Sequence, residues 1–291
     1  MSSRDDTLLL EAAYAKVNLT LEVVGRRDDG YHDIRSILQT IDLADHLQLS
    51  LADGLHLECT SPELEGSSNL VVRAARLLQD ATGHDEGAFI HLTKRIPVAM
   101  GLGGGSSDAA AALRGLNRLW GLGLSMEELR ELGAEVGSDV PFFISGGTAL
   151  VSGRGEAVYP LVLVPSLYLV LLMPPLWMAN KTARMYSLLE EGSYTAGEAT
   201  QRLLRALEGN EVSSDLLFNC FERVMQTAFT GIENYVAALL DVGASEAHLT
   251  GSGPALFALA RERTRAEEMA RGLSAMGHRA FVQESVAALS P

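Results

Sequence analysis

The chain has 291 residues, 47% apolar and 21% charged, a soluble globular composition that suits one large or two ordinary domains and excludes a disordered chain. Its net charge of −14 argues against a broad surface for nucleic acid or anionic lipid, so small anions have to be held locally. The N-terminus lacks a cationic start followed by a long apolar core, and no run reaches the about eighteen apolar residues of a membrane span, so a cytoplasmic protein without nucleic-acid or membrane partners is expected.

Residues 8–24 alternate as strands do, with Ala15, Val17, Leu19 and Leu21 on one face and Lys16, Asn18 and Thr20 on the other. Asp28-Asp29-Gly30 signals a turn, Tyr31 and His32 follow it, and 41–51 reads as another strand. Ser67, Ser68 and Asn69 precede a helix that runs to about residue 80 with Val71, Ala74, Ala75, Leu77 and Leu78 at helical spacing. A strand over 88–96 then leads into a glycine loop.

That loop and the segment after it, PVAMGLGGGSSDAAAALRGLNRLW over 97–120, organise the rest. Gly101, Gly103, Gly104 and Gly105 permit close backbone approach, Ser106 and Ser107 offer N-cap oxygens, and Ala109 to Ala112, Leu113, Leu116 and Leu119 are strong helix formers. A glycine loop feeding a helix N-terminus is a cradle for phosphate, because unpaired amides and the helix dipole both favour an anion. The Walker pattern is excluded, since no lysine lies between Arg95 and Trp120. A dinucleotide fingerprint fits poorly behind the polar segment that ends at Pro97.

An amphipathic helix over 126–136 precedes Gly137-Ser138-Asp139, where an aspartate most simply ends a helix or forms an Asx-turn. Glycines at 146, 147, 153 and 155 punctuate a hairpin that closes a first domain, 1–157, and the apolar run over 159–176 reads as a strand opening a second, 158–291. Gly251, Ser252 and Gly253 form a glycine turn before a strand. Cys59 and Cys220 match no metal spacing and are expected as reduced thiols. Lysine is scarce: only Lys16, Lys94 and Lys181 stand among 23 basic residues, as if retained where a compact point charge is needed.

The loop resembles the second motif of the GHMP kinases, Pro-x-x-x-Gly-Leu-Gly-Ser-Ser-Ala, through Pro97, Gly101, Leu102, Gly103, Ser106, Ser107 and Ala109, lengthened by Gly104 and Gly105. Within that superfamily, Ala15-Lys16-Val17-Asn18, Asp29-Gly30-Tyr31-His32 and the long glycine loop resemble the branch of cytidine-diphospho-methylerythritol kinases. The resemblance implies an α+β, two-domain fold, with a ribosomal-S5-domain-2-like N-terminal domain, a ferredoxin-like C-terminal domain and the active site between them. It implies ATP with Mg2+, Asp139 as catalytic acid/base, Lys16 and Asn18 in the catalytic cleft, and Pro97 with the loop as far as Ser107 on the phosphates, Ser106 or Ser107 reaching the metal. Asn69 and Lys94 fall on the adenine side, Gly251, Ser252 and Gly253 form a second wall, and Tyr31, His32 and Tyr186 hold a cytosine. The segment 182–186 matches the family's Ser-Thr-Ala-x-x-Tyr helix start with Lys181 in place of the serine. The implied reaction phosphorylates the 2-hydroxyl of a cytidine-diphosphate methylerythritol, by a monomer or homodimer. A homoserine- or mevalonate-type kinase, or a nucleotide-binding regulator without catalysis, are the alternatives.

Overall fold

The computed structural model describes residues 8–161 and 166–289. Strands β1 (Leu9–Arg26) and β2 (His32–Ala52) form a long antiparallel hairpin. At its turn Asp29 Oδ1 accepts the Tyr31 amide at 3.0 Å. Strand β2 starts well before the expected 41–51 because it serves two partners. Its first half pairs with β5 (Thr148–Gly153), its second with β4 (Gly87–Thr93). With β3 (Leu55–Cys59), β6 (Ala157–Pro160) and β8 (Phe218–Asn219) they make a seven-stranded sheet whose main path is β3-β4-β2-β1-β8. The expected strand over 88–96 ends at Thr93, where the chain turns away so that the Ile96 amide meets the Asp45 carboxylate at 2.8 Å.

Helices α1 (Leu70–Thr82), α2 (Gly104–Leu119) and α3 (Met126–Val136) contribute to the main apolar core beside this sheet. In α2, Ala109 to Ala112, Leu113 and Leu116 are wholly buried. Small side chains let the helix sit deep between sheet and neighbours. A short helix, α4 (Val140–Ser145), follows α3.

Strands β7 (Tyr168–Leu172), β9 (His248–Leu249), β10 (Leu256–Ala260) and β11 (Ala280–Glu284) form a second, antiparallel sheet in the order β11-β7-β10-β9. This is the ferredoxin-like order, fourth-first-third-second, with helices α5 (Lys181–Leu188), α6 (Glu198–Glu208), α7 (Met225–Ala228) and α8 (Ile232–Asp241) between β7 and β9, and α9 (Arg263–Ala275) between β10 and β11. Within the apolar run over 159–176, residues 162–165 lie outside the described residues.

A second apolar cluster joins the two sheets: Ala15, Val17, Leu19, Ile37 and Ile41 meet Leu169, Leu171 and Phe257. A buried phenyl ring such as that of Phe257 is worth about 3–5 kcal/mol against alanine. Strict alternation puts Leu21 on the same face as Leu19, but it belongs to the other core with Val23. The reason is a β-bulge: Asn18 pairs with Leu38 and Thr20 with Ile37, leaving Leu19 as the extra residue. Beyond it Thr20 turns to α6, where its hydroxyl lies 2.9 Å from that of Thr200.

Candidate active site

The glycine loop is shaped by packing. Gly101 (φ 86°) and Gly103 (φ 75°) have left-handed backbone. A Cβ on Gly101 would stand 2.2 Å from the Thr250 carbonyl oxygen, and one on Gly103 would stand 2.5 Å from the Phe143 ring. Thr250 Oγ1 donates to the Gly101 carbonyl at 3.3 Å. The turn at 251–253 is therefore a wall laid directly on the loop. Gly101→Ala is expected to cost about 1–2 kcal/mol in backbone strain alone, with further loss from the clash. Thermal unfolding and titration with a nonhydrolysable ATP analogue would record a lower Tm and weaker binding, and an unchanged variant would show the loop to be more pliant than its packing implies.

The helix behind the loop starts earlier than its serines suggest. Gly103 is the N-cap of α2, with no side-chain capping bond, and the Ser107 amide makes the first intrahelical bond to Gly103. Neither Ser106 nor Ser107 is the cap that its residue type suggests. Instead Ser107 is buried and its hydroxyl donates to the Tyr14 carbonyl at 2.7 Å, tying α2 to β1. The amides of Gly104, Gly105 and Ser106 precede the first intrahelical bond and carry the positive end of the dipole. Together with the positive-φ glycines they form a concave anion cradle.

Beside the cradle, Lys16 is 4% exposed and its ammonium donates to Asn18 Oδ1 at 2.5 Å. The same oxygen accepts the Gly251 amide at 2.9 Å, and Asn18 Nδ2 donates to Ser36 Oγ at 2.9 Å. This network joins β1 to the glycine turn at 251–253. Burial lowers the pKa of Lys16, while the nearby Asp139 charge opposes the shift. Asp139 lies at the N-terminal end of α4 and its side chain makes no capping bond. It ends no helix, because Gly137 already caps α3. A half-buried carboxylate beside a buried ammonium is thus available to a ligand.

Both line a cleft of about 1380 Å³. On its far side His32 stacks on Tyr186 with ring centroids 4.6 Å apart, Tyr194 meets His32 edge-on at 5.9 Å, and Tyr31 is 55% exposed beneath the Arg154 guanidinium at 5.1 Å. Burial, assisted by Arg26, lowers the pKa of His32, which leaves a neutral ring able to donate and accept. The cations Lys16, Arg26, Arg154 and Lys181 face the cleft against the carboxylates of Asp139 and Glu191. In a chain of net charge −14 that local excess marks an anion site.

A second pocket of about 400 Å³ lies across the loop and is walled by Asn69, Lys94, Pro97 and the residues from Gly101 to Ser106. Asn69 is occupied as the N-cap of α1, accepting the Val71 amide and donating to the Leu64 carbonyl, both at 2.8 Å. Lys94 is paired with Asp45 and, at 2.6 Å, with Asp108. Burial raises the Asp108 carboxyl to about 7 against the pull of Lys94. Sequence patterns single out neither Asp45 nor Asp108; the usable signal is one acid inside an alanine run behind the loop. Ala99, Gly101 and Gly103 border both pockets, so the two meet at the loop. All three lysines of the chain line one or other of them.

The GHMP kinases N terminal domain matches residues 69–147 and the GHMP kinases C terminal domain residues 197–279. A 4-diphosphocytidyl-2-C-methyl-D-erythritol kinase of Dehalococcoides mccartyi is 43% identical over 283 residues, 97% of this chain and 100% of that one. The chain belongs to this kinase family. The corresponding protein of Gloeobacter violaceus is 45% identical over 271 residues, 90% of this chain and 88% of the relative. A crystal structure of 4-(cytidine 5'-diphospho)-2C-methyl-D-erythritol kinase superposes with a TM-score of 0.81 at 32% identity, covering 95% of this chain and 99% of the other. Homoserine kinase from Cytophaga hutchinsonii, at 21% identity and a TM-score of 0.76 over 99% of this chain and 97% of its own, shares the fold. Membership of this family makes the chain an ATP-dependent small-molecule kinase.

Proposed function

We propose that the chain transfers the terminal phosphoryl group of ATP to the 2-hydroxyl of 4-diphosphocytidyl-2-C-methyl-D-erythritol, giving the 2-phosphate and ADP in the non-mevalonate route to isoprenoid precursors. The observation that carries this reading is the meeting of the two pockets at Gly101 and Gly103, with Lys16 and Asp139 on the aromatic side of the junction. ATP would lie over the loop with its phosphates on the first turn of α2 and its base toward Asn69 and Lys94. The acceptor would lie in the cleft, its cytosine among Tyr31, His32 and Tyr186 and its diphosphate near the arginines.

Asp139 then accepts the proton of the 2-hydroxyl, Lys16 offsets the charge that develops as the phosphoryl group moves, and the loop amides hold phosphate oxygens in line. Among the described residues no group of three or more His, Cys, Asp or Glu side chains is placed to hold a metal ion. Mg2+ would be held there with the Ser106 hydroxyl at hand and the nucleotide supplying the rest, and when bound would neutralise phosphate charge. The same reading assigns ATP binding and catalysis to a domain over 1–157 and much of the acceptor site to 158–291. It takes the enzyme as cytoplasmic; separately, no helix among the described residues is long and apolar enough to cross a membrane.

Coupled ADP release with the cytidylated acceptor, beside mevalonate and homoserine, tests the assignment. A uridylyl analogue swaps the exocyclic amine for a carbonyl and protonates the ring nitrogen, which mismatches a donor and an acceptor. Its kcat/KM is expected to fall at least about tenfold, roughly 1.4 kcal/mol. Equal use of both bases would reject the cytosine pocket, and preference for mevalonate or homoserine would reject the acceptor.

A further inference from the structure

Lys181 replaces the serine of the family's helix start, at the first residue of α5. It reaches across the cleft: its ammonium donates to the Ala99 carbonyl at 2.9 Å and also to the Gly253 carbonyl. One lysine thus latches the glycine loop to the turn at 251–253. Both ends of the first contact involve unusual backbone, since Ala99 (φ 60°) and Asn180 (φ 49°), the residue before Lys181, are left-handed without being glycine. Backbone of that kind is held only where surrounding contacts compensate for it, and it concentrates at functional sites. An ammonium has three N–H donors. Two are directed at carbonyls, and the third remains for a ligand in the cleft that Lys181 lines.

We propose that Lys181 is a second phosphoryl-contacting lysine, placed at the junction of the two pockets to bind the terminal phosphate of the nucleoside triphosphate. The inference rests on the phosphotransferase reading above. Ala99 borders both pockets, so a cation bonded to its carbonyl stands at the boundary that the transferring group crosses. The charged or titratable side chains that share the cleft with Lys181 are Lys16 and Arg26 from β1, His32 from β2, Asp139 from the head of α4, Arg154 after β5 and Glu191 after α5; the loop and the turn at 251–253 present backbone carbonyls to the ammonium. Burial, with the Lys16 charge adding to it, lowers Lys181 to about 7. Much of the free protein is therefore without this proton above neutrality, and an arriving phosphate, which favours the ammonium, draws one in.

The test is calorimetric titration of wild type, Lys181→Met and Lys181→Arg with a magnesium-loaded nonhydrolysable ATP analogue at pH 8, in two buffers of different ionisation enthalpy. Wild type is expected to take up a proton on binding, and its affinity to weaken as pH rises from 7 to 9. Lys181→Arg, which carries its charge throughout, should bind without uptake and with affinity flat across that range. Lys181→Met should bind at least tenfold more weakly at pH 7, also without uptake, and lower kcat more than it raises KM for the acceptor. A purely structural latch would lower Tm and leave proton uptake as in wild type, which would overturn the proposal. Uptake retained in both variants would assign the proton to another group, such as Lys16 or Asp108, and would equally overturn it. Failure of wild type to bind the nucleotide would remove the phosphotransferase reading itself; normal binding by wild type with unaltered Lys181 variants would remove only this inference.

Discussion

Asp139→Asn is expected to reduce kcat by about 10²–10⁴-fold, the usual contribution of a positioned general base. Asparagine keeps the size and the hydrogen-bonding shape of the side chain but cannot accept a proton. Asp139 makes no capping bond at the head of α4, so its replacement removes no support from that helix. The loss should therefore appear in kcat, with affinity for a nonhydrolysable ATP analogue and Tm close to wild type. Near-normal turnover in the purified, folded variant would show that the acceptor proton leaves by another path.

Lys16→Met is the second large effect, about 10²–10³-fold in kcat, comparable to removing one preorganised donor from a charge-stabilising site. Its effect on stability should have the opposite sign. Burial depresses the pKa of Lys16, so the unfolded chain binds this proton more tightly than the folded one, and the folded state bears a cost at neutral pH that shrinks as pH rises toward the ordinary lysine range. Methionine has similar length and no charge, and removes that cost. The variant should be inactive and at least as stable as wild type at pH 7, which kinetics and thermal unfolding read separately. Lys16→Arg should not restore activity, because the stem runs 3.3 Å from where a Cβ on Gly103 would stand and the ammonium 3.2 Å from the equivalent point on Gly251. A planar fork has no room there. An active arginine variant would show that the site needs only a positive charge.

Lysine scarcity is informative because a soluble chain usually spreads lysine over its surface. Here Lys16 is buried, Lys94 is held between Asp45 and Asp108, and Lys181 bridges two loops. The residue type carries the signal; the partners do not, since Asp45 and Lys94 are far apart in the chain and neither lies in a recognisable motif. The serines of the loop mislead for a similar reason. Their N-cap propensity is local, whereas Ser107 is fixed by a carbonyl of a strand 93 positions away.

By itself the chain determined the glycine loop, the helix behind it, the α3 boundaries, the turn before Tyr31 and the family to which these belong, because each depends on propensities and spacings within a few residues. Tertiary structure alone decided which side chains converge. Thr250 meets Gly101 across 149 positions and Asn18 meets Gly251 across 233, and the Leu19 bulge that divides the two cores exists only in the pairing of β1 with β2. Burial, charge and the room left for a Cβ are properties of neighbours in space. So the depressed pKa of Lys16, the reach of Lys181 to two carbonyls and the demand for glycine at 101 appear only once the sheets have packed.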